Sequence, residues 1–318
     1  MNAPPMRWQR VTDYMLVVAT VVEAAVFAAI APGFLSLANA VNIALSIAVT
    51  GILAVGMTAV ILTAGIDLSV GSVVALTGVA GAMAASHGVL PATAALVAAV
   101  LVGVATGVVN GTLTAYLQVP AFVSTLAMLT IARGLAFIVS SGRSIGDLPP
   151  SFGALGRSVL LGIPAPVLVM VAVMLAGAFV LGRTVFGRHI YAIGGNPEAA
   201  WLAGVNTKRV IWWVYVLNGA LAGVGGLTLA SRLGAGVPNA GQQYELDVIA
   251  AVVVGGASLF GGRGTIGGTL WGTVFIGVLT NGLNLANVDP YVQKIALGVV
   301  IVLAVIGDEI SRRKRAAG

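Results

Sequence analysis

The stretch GRHIYAIGGNPEAAWLAGVNTKR, residues 187–209, is the longest polar interruption with basic flanks in a chain that is otherwise mostly apolar. Within it, Gly194, Gly195 and Asn196 form a break that is followed by Pro197 and a short helix-forming run up to Ala203. Asn is a favoured helix N-cap, Pro is favoured at the first helical position, and Glu198 in the first turn suits the helix dipole. A helix of two turns or fewer is marginal alone in water, so we expect it to be held against a partner.

The composition of the whole chain defines the class of protein. The chain has 318 residues, of which 58% are hydrophobic and 8% charged, and its mean hydropathy is +1.04. These values are far outside the range of soluble domains and predict an all-α integral membrane protein. The net charge of +6 does not point to nucleic acid, because the basic residues stand at the ends of apolar runs and not in one patch with aromatic residues.

Apolar segments of spanning length predict about ten transmembrane helices, with boundaries uncertain by several residues. They cover residues 14–31, 40–63, 70–86, 89–116, 120–140, 164–182, 210–230, 247–261, 265–285 and 291–307. The pairs of segments around Asp67 and Arg263 are also compatible with broken or re-entrant helices. We expect one permease domain over residues 1–318, with halves at about 14–140 and 164–310 and a connecting loop at 183–209.

Lys and Arg are distributed unequally between the two sides of a ten-span chain, and this bias predicts the orientation. Arg133 lies inside a span, and four basic residues fall on one side: Arg143, Arg157, Arg232 and Lys294. The other side holds Arg7, Arg10, Arg183, Arg188, Lys208, Arg209, Arg263, Arg312, Arg313, Lys314 and Arg315. We therefore expect both termini and the loop at 183–209 to lie in the cytoplasm.

The first apolar run, residues 14–31, ends in Ala29-Ile30-Ala31 and is open to two explanations. It has features of a signal peptide, but it is long enough to span, so a retained first helix is the expectation. Glu23 within it would be costly against lipid. We expect Glu23 to face a neighbouring helix, with a role in transport as the alternative.

An internal repeat emerges when the fourth and fifth spans are aligned with the ninth and tenth. GVVNG at 107–111 is followed by Pro120, Phe122 and Val123, and GVLTNG at 277–282 is followed by Pro290, Tyr291 and Val292. The first connection is predicted to be cytoplasmic and the second external, so the two five-helix halves would be inverted copies, an architecture found in transporters. Asn-Gly and Pro are also ordinary turn residues, so chance similarity is the other explanation.

The segment TAGIDLSVGS, residues 63–72, joins the second and third spans and contains Asp67. Ser69 is suited to cap the following helix, and Gly65 and Gly71 permit a tight turn of the backbone. One interpretation is simple capping at a hairpin. The other is a pivot or packing element beside a transport pathway.

Several kinds of catalytic or binding site are excluded or unsupported. GGRGTIGG at 261–268 contains the spacing G-x-G-x-x-G, but it joins two apolar spans without a strand–helix–strand unit, so we interpret it as a helix-packing turn. The only lysines are Lys208 and Lys294, so the chain has no Walker loop and cannot bind ATP in that way. His87 and His189 have no partners at ligand spacing, and there is no cysteine. We therefore expect no metal site, no catalytic residues and no cofactor in this chain.

The predicted external connection at 141–164 is the longest on that side and carries Arg143, Asp147 and Arg157. It is either a solvated loop or a docking platform for a partner outside the cell.

Taken together, these stretches resemble the permease subunits of bacterial ATP-binding-cassette (ABC) sugar importers of the ribose, xylose, arabinose and galactose group. The matching pieces are TAGIDLSVGS, PAFVSTLAM from Pro120, AIGGNPEAAWLAGVNTKRV, VVVGGASLFGGRGTIGGTLWG and NGLNL, so the resemblance covers residues 35–310. It implies a type II-like permease that works as a pair in the bacterial inner membrane, with a cytoplasmic ATPase that holds ATP and Mg and with a periplasmic sugar-binding protein.

The resemblance also implies roles for individual residues. The short helix after GGN-P-E-A-A would be the coupling element that contacts the ATPase, through Gly194, Gly195, Asn196, Pro197, Glu198, Ala199, Ala200, Ala203 and Gly204. Phe122, Thr125 and Asn218 would lie near the pathway, and Asp67 and Ser69 carry over as motif residues without an assigned role.

The expected function is import of a pentose or hexose by alternating access, driven by a partner ATPase. One alternative is the same architecture carrying a nucleoside, a polyol or a branched-chain amino acid. Another is a secondary transporter in which Glu23 or Asp67 couples transport to protons or sodium, and a third is a structural membrane scaffold.

Overall fold

The computed structural model describes residues 6–87 and 91–316, and side-chain environments over residues 15–86 and 92–310. The charges predicted for the two termini, including Arg7, Arg10 and the basic tail, lie outside the described side chains, as does His87. The helices are α1 (Met6–Ile30), α2 (Leu37–Leu62), α3 (Val70–His87), α4 (Pro91–Gly111), α5 (Ala121–Val139), α6 (Ala154–Arg157), α7 (Ala165–Arg183), α8 (Val185–Gly195), α9 (Pro197–Leu202), α10 (Thr207–Leu233), α11 (Tyr244–Val254), α12 (Ile266–Leu285) and α13 (Pro290–Ala316). A π-helical turn, Thr112–Tyr116, extends α4, and β1 (Val159–Leu160) pairs with β2 (Ile163–Pro164) in an antiparallel hairpin.

Seven of the described helices are long and apolar enough to cross a membrane: α2, α4 with its π-helical turn, α5, α7, α10, α12 and α13. Two shorter apolar helices, residues 15–30 and 70–86, correspond to the first and third predicted spans. The all-α membrane class is therefore confirmed. A count of ten complete spans is not established by these helix lengths.

The span expected at 247–261 is the one that the structure changes most. Its helix, α11, covers Tyr244–Val254 and has 11 residues, a length of about 16 Å, which is too short to cross a bilayer alone. Irregular backbone with several left-handed residues precedes it at 234–243 and follows it at 255–265. The prediction of a continuous span here was wrong, and the short helix agrees with the alternative of broken or re-entrant helices around Arg263.

Helix α10 lies at the centre of the chain, packed against α2, α3 and α4. Its contact with α4 is made by small residues, because a side chain on Gly219 or on Gly103 would collide with the backbone of the opposite helix. Such close approach is the usual way in which membrane helices associate, since van der Waals contact replaces the hydrophobic effect there. The main core extends from this contact through α2 to α7 and α11.

Helix α1 packs against α12, where the ring of Phe27 lies against Gly282. Both carboxylate oxygens of Glu23 are buried and have no hydrogen-bond partner among the described residues. Burial of these oxygens fits the expectation that Glu23 faces the protein and not the lipid. Its role in transport stays an open alternative.

The two Asn-Gly pairs of the suspected repeat both lie in helices. Asn110 and Gly111 end α4, and Asn281 and Gly282 lie inside α12. Asn281 exchanges two side-chain hydrogen bonds with Asn39 of α2, at 2.9 and 3.0 Å.

The connection at 141–164 folds back onto the chain. Ile145 pairs with Gly236 in an isolated antiparallel bridge, and the Ser231 hydroxyl joins this segment to α10 by accepting from Gly156 N at 2.7 Å and donating to Phe152 O at 2.6 Å. The segment is thus attached to the chain at several points, although most of its residues are exposed to solvent. A docking role for it stays a prediction.

Candidate functional site

The polar interruption at 187–209 forms two helices, α8 and α9, at the end of the molecule where α2 and α13 also end. Asn196 lies between them and caps α9, since its Oδ1 accepts a hydrogen bond from Ala199 N at 2.9 Å. Pro197 begins α9 and Glu198 is in its first turn, as predicted. The expected glycine break is wrong in one respect, because Gly194 and Gly195 are the last residues of the 11-residue helix α8.

Helix α8 rests on two other loops of the same end of the molecule. Gly194 lies against the Leu62 carbonyl oxygen and the Gly262 amide, which are themselves joined by a hydrogen bond of 2.9 Å. One turn earlier, the Tyr191 hydroxyl donates to Gly264 O at 2.8 Å, and burial raises the pKa of this phenol above its usual value. The loop GGRGTIGG therefore packs against α8, which agrees with the prediction of a helix-packing turn.

The same loop is fastened to the last helix. Arg263 forms an ion pair with Asp308 of α13 at 3.6 Å, and the Ser258 hydroxyl donates to the other oxygen of that carboxylate at 2.8 Å. The end of α2, the pair α8–α9, the loop at 258–264 and α13 thus form one connected platform.

Most of the residues expected to form the coupling element are exposed on this platform. Gly194 is half-buried, and the exposed members are Gly195, Asn196, Pro197, Glu198, Ala199, Ala203 and Gly204. Ala200 is only 4% exposed and packs into the main core, so its position does not fit direct contact with a second chain.

Sequence reasoning passed over the two largest side chains of α9. Trp201 is 65% exposed and Leu202 is 73% exposed. Exposed Trp is enriched among the residues that anchor protein interfaces, and Leu202 enlarges the apolar surface beside Trp201. The signal was present in the sequence, as two bulky apolar residues within a polar loop.

A second group of polar residues lies deeper, between α3, α4 and α10. Asp67 Oδ1 accepts from the Ser69 amide at 2.8 Å and from the Ser69 hydroxyl at 2.6 Å, and Asp67 Oδ2 accepts from Asn218 Nδ2 at 2.8 Å. Asn110 Nδ2 donates to the Ser69 hydroxyl at 3.1 Å. All four residues are at most 3% exposed.

This buried cluster links the loop at 63–69 to α10, the helix that directly follows α9. Asp67 does accept the Ser69 hydrogen bonds expected of capping, but the bond to Asn218 adds a tertiary connection that simple capping does not require. The cluster excludes a surface role for Asp67 and leaves both a packing and a pivot role open. Asn110 is a member of this cluster that sequence reasoning did not select.

The remaining pathway candidates separate in the structure. Thr125 is fully buried, and its hydroxyl lies 3.2 Å from the carbonyl oxygen of Ile66, so it packs beside the Asp67 loop. Phe122 is 56% exposed on the outer face of α5 and does not join this group. Among the side chains described over 15–86 and 92–310, no three His, Cys, Asp or Glu residues are close enough to hold a metal ion.

Comparison with known proteins identifies the relatives of this chain. Residues 39–305 match the family model described as "Branched-chain amino acid transport system / permease component". The chain is 42% identical over 302 residues to the ribose import permease protein of Haemophilus influenzae, covering 94% of this chain and 93% of the relative.

Two relatives from Escherichia coli K12 are similarly complete. The ribose import permease protein is 44% identical over 295 residues, 92% of each chain, and the L-arabinose transport system permease protein is 39% identical over 292 residues, 89% of this chain and 86% of the relative. No solved structure matches the chain significantly.

Proposed function

Since the chain belongs to the family of transport-system permease components, we propose that it is the membrane-spanning subunit of an ATP-driven importer that passes a monosaccharide into the cell. The observation that carries this proposal is the similarity, over about nine tenths of its length, to permeases named for ribose and for arabinose. Both sugars are pentoses, so a pentose is the first substrate class to test. The chain is a multi-pass protein of the inner membrane.

The energy for transport comes from another chain. The sequence contains no Walker loop, so ATP and Mg bind to a cytoplasmic ATPase partner, and this chain only receives the mechanical step. A second copy of the chain completes the pathway, and a periplasmic binding protein delivers the sugar. This arrangement places both termini and the α8–α9 pair in the cytoplasm, as the distribution of Lys and Arg favours.

The α8–α9 pair is the element that contacts the ATPase. The exposed members of the set Gly194–Ala199, Ala203 and Gly204 form its polar surface, and Trp201 and Leu202 are its apolar anchors. Helix α9 leads directly into α10, whose Asn218 holds Asp67, so movement of α9 is carried to the loop before α3. Alternating access results if the movement of α9 changes how the two halves of the chain pack along the transport pathway.

The two halves are inverted copies of five spans each, ten in all with α11 as a broken span. The helix contacts support this inverted repeat. Helix α10 packs against α3 and α4, and helix α2 packs in the same way against α11 and α12. Under the proposed alignment these pairs are equivalent, since the second span corresponds to the seventh and the third to the eighth.

The coupling surface is tested by measuring how tightly the ATPase binds detergent-purified Trp201→Ala and Leu202→Ala variants. Trp201 offers roughly 150 Å² of surface, worth at most about 4 kcal/mol if it is fully covered, and binding costs reduce that figure. We expect at least about tenfold weaker association. The matched control is Leu117→Ala, because Leu117 is 65% exposed just after the π-helical turn that extends α4 and lies outside α8–α9.

Equal association of the Trp201→Ala, Leu202→Ala and Leu117→Ala variants would contradict the coupling assignment. Uptake of ribose that persists without any ATPase and collapses with ionophores would contradict the function itself and favour an ion-coupled transporter.

A second candidate substrate has one observation in its favour, which is that the family description names branched-chain amino acids. Reconstituted uptake of radiolabelled leucine in competition with ribose and arabinose distinguishes the two. Leucine uptake without sugar uptake would replace the monosaccharide assignment and leave the coupling mechanism unchanged.

A further inference from the structure

We propose that the polar run NAGQQYELD, residues 239–247, forms a sugar-binding surface inside the membrane layer, with Asn239 and Gln242 as its contact residues. This inference rests on the proposed function, since it names where the transported sugar is recognised. The run leads into and begins α11, and the sequence pattern gave no reason to select it.

The depth of this run follows from its contacts with α3. Gly236 packs against Val79 and Ala82, in the outer half of α3, whereas Gly241 packs against Gly71, the second residue of that helix. At a rise of 1.5 Å per residue, the backbone descends by about 12 Å between these two contacts. The segment therefore re-enters the membrane layer alongside α3 and does not stay on the outer surface.

Arg133 gives an independent measure of the depth. It lies in α5, six residues before that helix ends at Val139, or about 9 Å inside the end of the span. Its Nη1 donates to Pro238 O at 2.9 Å and to Ala240 O at 2.8 Å. The irregular backbone is thus held inside the layer that α5 spans.

The exposure of two amide side chains at this depth requires water. Asn239 and Gln242 are both exposed in the chain, and an amide without hydrogen bonds in hydrocarbon costs roughly 2–7 kcal/mol. Irregular backbone at membrane depth is tolerated only where it is buried in protein or lines a water-filled cavity. These two side chains must therefore face an aqueous path or a second chain, and in a permease that works as a pair the path lies between the chains.

The run is also held rigidly, as a binding surface requires. Arg133 fixes the backbone at two points, and a carboxylate oxygen of Glu245 lies against Gly71 in the first turn of α3. The N-termini of α3 and α11 meet at this contact. In transporters, discontinuous helices whose ends meet near the middle of the membrane form the substrate site.

The chemistry of the run favours a neutral, hydroxyl-rich ligand. Amide side chains both donate and accept hydrogen bonds, and a sugar hydroxyl does the same. The two contact residues are uncharged, Arg133 binds carbonyl oxygens, and Glu245 Oε2 is buried against Gly71 without a hydrogen-bond partner among the described residues. A zwitterionic amino acid would need free charges of both signs, so a monosaccharide fits this surface better.

The first test measures uptake by the permease reconstituted with its ATPase and binding protein, using radiolabelled D-ribose and L-arabinose. We expect Asn239→Ala and Gln242→Ala each to reduce uptake roughly two- to tenfold, the effect of one lost neutral hydrogen bond, while the ATPase remains associated. Ser144→Ala is the matched control, since Ser144 is an exposed polar residue of the outer connection.

The second test uses the absence of cysteine from the chain, which makes single-cysteine variants free of background. Membrane vesicles of both orientations are treated with a membrane-impermeant maleimide. We expect the Gln242→Cys variant to react as fast as a Ser144→Cys variant, and ribose at saturating concentration to slow only the former. An Ile138→Cys variant, at a position 75% exposed on the apolar face of α5, should react slowly.

The outcomes separate this inference from the function on which it rests. No uptake of either sugar by the unsubstituted chain would refute the proposed function. Normal uptake with both alanine variants, or a Gln242→Cys variant that reacts as slowly as the Ile138→Cys variant, would refute the binding surface alone.

Discussion

Two neighbouring glycines at the end of α8 offer a sharp test of how the coupling platform is built. Gly194 and Gly195 are adjacent in sequence and both belong to α8, but a β-carbon on Gly194 would collide with Leu62 O and Gly262 N, whereas one on Gly195 meets nothing within 4 Å. The variants Gly194→Ala and Gly195→Ala therefore add the same methyl group to the same helix. Only the first one disturbs the seat of α8.

The expected loss in the free energy of unfolding follows from the hydrogen bond between Gly262 N and Leu62 O, against which Gly194 lies. The β-carbon must separate Gly262 N from Leu62 O, now 2.9 Å apart, or move α8 away from both. Losing this bond and leaving its groups unpaired costs about 2–4 kcal/mol. At Gly195 the change should be neutral or stabilising by up to about 1 kcal/mol, because Ala is the better helix former.

Thermal unfolding of the detergent-purified variants, followed by the fluorescence of the chain's five Trp residues at one scan rate, measures the difference. We expect Gly194→Ala to lower the midpoint by several degrees and to uncouple ATP hydrolysis from uptake, whereas the midpoint of Gly195→Ala should stay close to that of the unsubstituted protein. Equal midpoints and equal coupling for the two variants would show that α8 does not depend on this backbone contact.

Three further predictions concern other contacts and use the same unfolding assay. Asp67→Asn should lower the free energy of unfolding by about 1–3 kcal/mol, because it sets an amide donor against Asn218 Nδ2. Adding Asn218→Asp should restore at least half of this loss. Additive losses in the double variant would contradict a direct bond between the two side chains. Thr58→Val should lower the free energy of unfolding more than Thr269→Val does. The two hydroxyls are 2.7 Å apart, and of the two only that of Thr58 makes a second hydrogen bond, to Ala54 O at 2.6 Å. Equal losses of stability in the two variants would contradict this prediction. Leu161→Asn should stabilise the chain by up to about 1 kcal/mol and so raise the midpoint, because Leu161 is 94% exposed at a positive φ of 53° in a two-residue hairpin turn, where Asn before Gly is preferred. A lower midpoint would count against strain at this turn.

The coupling element illustrates how far local sequence signals reach. The cap at Asn196 and the start of α9 at Pro197 were predictable because capping depends on residues within one turn. Whether Ala200 or Trp201 faces outward depends on which side of α9 packs on the core. That choice is made by residues far away in the chain, so the sequence pattern led to the alanines and missed Trp201.

The Asp67 cluster illustrates the opposite limit. Ser69 was identifiable as the local partner of Asp67. Asn110, however, lies 41 positions from Ser69 along the chain, and Asn218 lies 151 positions from Asp67. A single sequence contains no record of such pairings. They become visible only when α4 and α10 are brought together.

By itself, the sequence determined that this protein is a helical membrane protein, where most of its apolar helices lie and where the polar stretch at 187–209 interrupts them. These properties depend on hydropathy, glycine and proline placement and capping, each of which acts over a few residues. Only the tertiary structure decided that α11 is a short helix between two irregular segments and that residues 236–241 pack alongside α3. Backbone can re-enter the membrane only when Arg133 and the small residues of α3 satisfy and cover it, and those partners come from other helices.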